Sequence, residues 1–240
     1  MSITREFVAF DLSAEYAHYR RPYAITTALS FPIPTRTALS GLLGAIVGLP
    51  KNETLAEFTD NKALIAVQVL EPVRFGHLSL NLLDTKDNPT FRPKAENPHT
   101  IMRYEVIREP RYRIFFAHDS LAARVYEMLA RGDSVYTPCC GLAWMIATFE
   151  GLPRRISAIQ ITDSSTFPPL ATPVRTSAII GGVEWNPDGV YQRLRMPAEM
   201  QPDRTVTRHE EYLIDTTGRP VRVTLGNYWK LNDGTCISPL

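Results

Sequence analysis

Apolar and polar positions alternate along this chain with a period that changes from block to block, and each change marks an element. Residues 7–12 are almost continuously apolar, as expected of a central strand buried on both faces. A polar, aromatic and basic loop follows and ends at Pro34. Thr35 is placed to cap a helix that Pro50 stops, and residues 51–61 read as a polar connector. Residues 64–83 read as one long strand that changes face. Ile65, Val67, Val69, Val73 and Phe75 are apolar at odd positions, whereas Leu78, Leu80 and Leu82 are apolar at even ones. This parity switch at Gly76 predicts a β-bulge, beyond which the strand leaves the core as a projecting arm. Residues 101–116 alternate again, with Met102, Tyr104, Val106, Tyr112, Ile114 and Phe116 on one face and Arg103, Glu105, Glu109, Arg111 and Arg113 on the other. The two strands, with the proline-rich tip 84–100 between them, make a long hairpin.

Asp119 or Ser120 caps the next helix, whose Leu121, Val125, Met128 and Leu129 follow the helical period, and Gly132 closes it. Pro138 and Gly141 shape a turn, a short helix carries Leu142, Met145, Ile146 and Phe149, and residues 155–162 form a further strand. The order strand, helix, strand, strand, helix, strand is the ferredoxin-like split βαβ arrangement, shared with RRM domains. The expected fold class is therefore α+β. A modified ferredoxin-like (RRM-like) βαββαβ domain with a projecting hairpin covers residues 1–167. A smaller β-rich part covers residues 168–240, with strand candidates at 174–183, 190–196, 212–214 and 221–225, the last two joined around the turn TTGRP.

The first helix carries an unusual stripe. Thr37, Gly41, Gly44 and Gly48 fall on one helical face. Glycine in a helix interior costs about 0.5–1 kcal/mol relative to alanine, so the stripe implies close approach of another backbone, from the protein itself or from a ligand.

Composition narrows the function classes. A net charge of +1 excludes a diffuse electrostatic binder of polyanions but leaves room for a local basic groove. Cys139, Cys140 and Cys236 have no CxxC spacing, so neither a disulfide framework nor a structural zinc site is expected, and a reducing cytoplasm fits best. The first residues carry acidic groups within their apolar run and no small-residue cleavage site, so no signal peptide is expected. Residues 39–49 are too short and glycine-rich to span a membrane. Phosphate-loop, dinucleotide-binding, zinc-protease and serine-hydrolase signatures are absent. His209, Glu210 and Glu211 lack a nearby third ligand, and Cys139 sits in a structured turn of the kind that holds an inert packing thiol. Neither a metal nor a cofactor is expected.

What remains suits a single phosphodiester strand. Tyr16, His18, Tyr19, Arg20, Arg21 and Tyr23 interleave rings with cations, which can stack on bases and pair with phosphates. Thr26, Thr27 and Ser30 add neutral donors. Arg36 stands at the start of the glycine-rich helix, where free N–H groups favour an anion. Arg103, Arg108, Arg111 and Arg113 line the hairpin. The alternative for these arginines is pairing with Glu105, Glu109 and other acids on a solvated strand face.

Three segments carry a resemblance to a known family. SFPIPTRTALSGLLGAIVGLP resembles the segment after the first strand in the fifth-numbered family of CRISPR-associated (Cas) proteins, with its proline-rich lead into a GLLGA-like helix. YTPCCGLAWMIATFEG resembles the family's later Tyr-x-Pro-x-x-Gly turn, and REPRYRIFF its returning hairpin strand. The resemblance covers most of residues 1–151 in the right order and implies an RNA-binding subunit of type I Cascade-like surveillance complexes. One copy would cap the complex and grip the 5′ handle of the CRISPR RNA (crRNA). The hairpin would act as a thumb meeting the neighbouring backbone subunit. The large subunit would be contacted as well, and target DNA would be read only indirectly, by guide pairing. On this mapping Tyr19, Arg20, Arg21, Tyr23, Thr26, Thr27, Arg36 and Thr37 face the handle. The turn with Tyr136, Pro138 and Gly141 lies near it, and Lys86, Arg92, Lys94 and His99 belong to the thumb tip. A type I-C branch of the family cleaves precursor RNA itself, which needs a base, an acid and charge stabilisation, often from Tyr, Lys and His. No lysine sits beside a histidine here, so the resemblance points to a non-catalytic, type I-B-like member. A metal-independent endoribonuclease and a protein-only scaffold are the rival readings.

Overall fold

The computed structural model describes residues 3–22, 27–83, 99–162 and 165–240. The chain opens with β1 (Thr4–Ser13), then the short strands β2 (Tyr16–Ala17), β3 (Tyr19–Arg20), β4 (Thr27–Ala28) and β5 (Ser30–Phe31). Helices α1 (Arg36–Val47) and α2 (Lys51–Glu57) lead to β6 (Ala63–Val69). The hairpin strands β7 (Phe75–Leu83) and β8 (His99–Arg108) follow, then β9 (Arg111–His118), α3 (Ala122–Ala130) and β10 (Thr148–Ile161). β10, β1, β9 and β6 lie side by side in that order, each pair antiparallel. Val8, Phe10 and Leu12 of β1 pack with Leu39, Leu43 and Val125 of α1 and α3. Phe7 and Ala9 are equally buried on the opposite face, where the Phe7 ring meets Trp229 edge-on at 5.6 Å. β1 is thus buried on both faces, as its unbroken apolar run requires.

The remaining strands are β11 (Pro169–Leu170), β12 (Val174–Arg175), β13 (Ile179–Glu184), β14 (Tyr191–Met200), β15 (Val206–Asp215), β16 (Val221–Leu225), β17 (Tyr228–Leu231) and β18 (Cys236–Ile237). Through β17, which pairs with β10, they extend the central sheet to nine strands, while β12, β15 and β14 form a separate three-stranded sheet. Leu194 and Met196 of β14 and Tyr212 and Ile214 of β15 join the same core cluster as α1.

Several local expectations are corrected, the first being the polar connector at 51–61, which contains the helix α2. The stretch 64–83 is not one bulged strand. It breaks at residues 70–74, around Pro72, so that β6 stays in the central sheet while β7 joins the hairpin sheet. The stretch 101–116 breaks likewise at Glu109, whose φ of 48° turns the chain, followed by Pro110. No helix forms over residues 142–149. Leu142 to Met145 is a single turn, and Cys139 bridges Ile146 before β10 begins at Thr148. The expected cap of α3 also differs: the His118 ring nitrogen Nδ1 accepts the N–H groups of Ser120 and Leu121.

Candidate nucleic-acid interface

One strand organises the site. β7 pairs with one edge of β8, and β2 and β4 pair with the other, setting Tyr16 opposite Arg108 and Thr27 opposite Arg103. The aromatic-basic stretch, read from sequence as a loop, is stitched onto the hairpin by these short strands. Glu105 makes two of the stitches: its carboxylate accepts the Ser30 N–H at 2.9 Å, and its carbonyl accepts from His18 Nδ1 at 2.8 Å. Pairing of Tyr19 with Phe31 and Arg20 with Ser30 closes the base of the loop.

A second clamp holds the loop from the other side. His18 N–H donates to the Cys140 carbonyl at 3.0 Å, and Gly141, at φ +100°, leaves its bare Cα against the His18 carbonyl. The loop and the 136–142 turn meet through backbone. His18 itself is buried. Its Nδ1–H donates to a carbonyl, so Nε2 carries the lone pair and has no partner among the described residues. Burial lowers its pKa below the ordinary 6.5, with Arg20 pushing the same way.

The arginines divide into two sets. Arg20, Arg103 and Arg108 are exposed, and among the described residues none forms an ion pair. Glu105 accepts the Ser30 N–H and Glu109 pairs with Arg74 at 2.9 Å, and neither forms an ion pair with them. Arg21 is half-buried: its Nε–H donates to the Ser30 carbonyl and its guanidinium lies 5.4 Å from the Phe31 ring centroid. The other set is internally paired. Arg111, expected to face RNA, bridges Glu71 at 2.7 Å and Glu150 at 2.5 Å, and these hydrogen bonds raise its pKa. Arg113 grips Asp11 with two hydrogen bonds of 2.6 and 2.8 Å.

Several expected contacts are corrected. Arg36 is 1% exposed and donates to the carbonyls of Phe58, Ala63 and Leu240, with Asp60 Oδ1 3.0 Å from its Nε. It locks the helix start to the core and offers nothing to a handle. Asp60 also holds Arg175 and Arg208 at 2.9 and 2.6 Å, a hub that spacing along the sequence did not reveal. Tyr19 is buried against Tyr112 with ring centroids 6.5 Å apart, and its phenol pKa is raised by burial, so it cannot stack on a base. Pro138 is buried, its carbonyl accepting the Ala147 N–H. Thr37 and the exposed Tyr136 come together, yet in a different place: with Gly41 they line a cleft beside α2 that none of Arg20, Arg103 and Arg108 reaches. His99 is exposed at the start of β8. Tyr23, Thr26, Lys86, Arg92 and Lys94 lie outside the described residues.

The comparisons with known proteins agree with this architecture. Residues 7–130, just over half of the chain, match the family model described as "CRISPR-associated protein (Cas_Cas5)". The chain belongs to this family of CRISPR-associated proteins. Among solved structures it is similar to a chain of a "CRISPR RNA-guided surveillance complex", at 10% identity and a TM-score of 0.54, covering 90% of this chain and 91% of that one. It is also similar to a CRISPR protein from Archaeoglobus fulgidus, at 13% identity and a TM-score of 0.50, covering 97% of each chain. A chain from a Type III-B Cmr-beta complex bound to cognate target RNA and AMPPnP matches at 12% identity and a TM-score of 0.50, over 91% of this chain and 86% of that one. At these identities the likeness is one of fold. No curated protein sequence is significantly similar to the chain.

Proposed function

We propose that this protein is a non-catalytic, RNA-holding subunit of a type I CRISPR surveillance complex, gripping the 5′ handle of the crRNA. The reading takes the β10–β1–β9–β6 core with α1 and α3 as a modified ferredoxin-like unit and the β7–β8 hairpin as its thumb. Bases do not stack on the open sheet face as in an RRM, because Phe7 and Phe115 there are buried. The grip lies instead on the hairpin where β2 and β4 join β8. The observation that supports this best is that Arg20 on β3 and Arg103 and Arg108 on β8 are exposed and unpaired among the described residues, on strands that join the aromatic-basic loop to the hairpin. Unpaired guanidiniums held on strands suit phosphates of a single-stranded RNA, each able to make paired N–H···O contacts.

The hairpin then reaches toward a backbone subunit and the rest of the chain toward a large subunit, in the cytoplasm of a prokaryote, with target DNA read through guide pairing. A structural role for two histidines supports the non-catalytic reading. The His18 ring is buried, and the His118 ring is engaged at both nitrogens, with the α3 start and with the Glu57 carbonyl.

Filter binding of handle-sequence RNA tests the reading. The variant Arg20→Ala/Arg103→Ala/Arg108→Ala is expected to lose at least about tenfold in affinity, a loss of about 1.4 kcal/mol, while keeping the wild-type unfolding curve. Equal affinity would reject the mapped surface. Incubation of the purified chain with repeat RNA in EDTA separates the enzyme reading, which a specific cut within the repeat would favour.

A further inference from the structure

A groove that the RNA reading does not use runs between α1, α2 and the end of the β14–β15 hairpin. Its first section has a volume of about 470 Å³. Gly41 forms part of the floor, and a side chain added there would meet nothing within 4 Å. Leu55 and Met200 line the walls, Tyr136 stands exposed at one side, and Lys51 and Arg204 reach it from two different elements. Both cations are exposed, and neither forms an ion pair among the described residues. The groove continues into a second section of about 260 Å³ that shares Thr37, Leu55, Met200 and Pro202 with the first. There the lining adds Phe58 and Ala198 and holds no lysine or arginine. Its one carboxylate, Glu199, is already taken by Arg208 at 3.2 Å.

This distribution selects the occupant. A phosphodiester chain laid along the groove would meet two cations at one end and, at the other, the Glu199 carboxylate among apolar and neutral polar groups, with no cation to compensate its charge. A polypeptide fits both sections. Successive apolar side chains can fill the two pockets, as anchors do in protein interfaces, and a negative charge beside them answers the two cations. We infer that this groove is the docking site for a short segment of a partner protein, with apolar anchors seated over Gly41 and against Leu55 and Met200, and with an aspartate or glutamate held by Lys51 and Arg204. The inference does not depend on where RNA binds. It gives Gly41 a purpose that packing does not, since Gly44 and Gly48 face Thr54 and Val135 closely while Gly41 faces open space.

The test replaces Tyr136, the exposed aromatic at the side of the groove, with the photo-crosslinking residue p-benzoylphenylalanine in the full chain. The chain is co-expressed with the proteins encoded beside its gene and a CRISPR array, and the product is irradiated. The expected result is a crosslink to one polypeptide, mapped by mass spectrometry to a segment with apolar residues next to Asp or Glu. Its yield should fall at least tenfold when Lys51→Glu and Arg204→Glu are added. A crosslink to RNA, a crosslink to a segment without carboxylates, no polypeptide crosslink, or a yield indifferent to the charge reversals would overturn the inference. As a second variant, Gly41→Leu fills the groove in a helix that tolerates it, and its melting temperature should equal or exceed that of the wild type. It should abolish binding of a synthetic peptide of the mapped segment while leaving handle-RNA affinity unchanged. Peptide binding undiminished by Gly41→Leu would also overturn the inference. Loss of RNA affinity in the Arg20, Arg103 and Arg108 variant bears on the other surface alone.

Discussion

A Cβ atom on Gly141 would stand 1.9 Å from the carbonyl oxygen of His18. No side chain can occupy that space, and the φ of +100° is itself hostile to every residue but glycine. The aromatic-basic loop and the 136–142 turn are thus clamped backbone to backbone. Gly141→Ala is expected to destabilise the protein by about 3 kcal/mol or more, read as a shift in the urea midpoint. Handle-RNA affinity should fall with it, because Arg20 rides on the displaced loop. A variant as stable as the wild type would show that the clamp is slack.

Arg36 stands at the helix start where an anion site was expected, yet all its work is internal. Arg36→Met removes hydrogen bonds to Phe58, Ala63 and Leu240 and one of the three guanidiniums on Asp60. A loss of about 2–4 kcal/mol is expected. That is somewhat below the ~3–5 kcal/mol of an isolated buried pair, because Asp60 keeps Arg175 and Arg208. Handle-RNA affinity of the folded variant should be unchanged, and a specific loss of RNA binding without a stability change would reverse the assignment.

His18 gives the fold a pH dependence whose sign follows from its burial. Its pKa in the folded protein lies below the unfolded value of 6.5, so the unfolded chain takes up the proton first. The stability contributed by the neutral ring is therefore complete above about pH 6.5 and is lost as pH falls through the folded pKa. Urea unfolding between pH 7.5 and 5 should show this decline. In His18→Asn, whose side-chain amide can still donate toward the Glu105 carbonyl, the decline should be shallower. An identical slope in the variant would place the titrating group elsewhere.

The glycine stripe separates into packing and open space. Gly44→Ala drives a Cβ to 2.5 Å from Thr54 Cγ2, a buried side chain anchored by its hydroxyl to the Pro50 carbonyl, and should cost about 1–3 kcal/mol. Gly41→Ala meets nothing and should stabilise by about 0.5–1 kcal/mol through helix propensity. Thermal unfolding of the two variants should move in opposite directions.

Period and punctuation carried much of this structure in plain view. The continuous apolar run of β1, the Thr35 cap with its side chain accepting the Ala38 N–H, and the left-handed Gly132 after α3 were all legible, because each follows from local chemistry. Breaks within long alternating stretches were not. The turns at residues 70–74 and at Glu109 preserve enough alternation to read as one strand, and only the choice between two sheets separates them. The site was half legible for a related reason. Composition marked the loop as basic and aromatic, but burial decides which groups stay free. Tyr19 and Arg36 went inward because Tyr112 and Asp60, distant in sequence, receive them. Lys51, Met200 and Arg204 of the groove meet only through tertiary packing and left no signal beyond their own residue types.

The most direct measurement is the salt dependence of handle-RNA binding. Each phosphate neutralised on a single strand contributes about 0.7 to the slope of log Kobs against log salt concentration. If Arg20, Arg103 and Arg108 each hold one phosphate, the triple alanine variant will show a slope shallower than the wild type by about 2. Equal slopes for the two proteins would mean that the RNA, if bound at all, lies away from these three arginines.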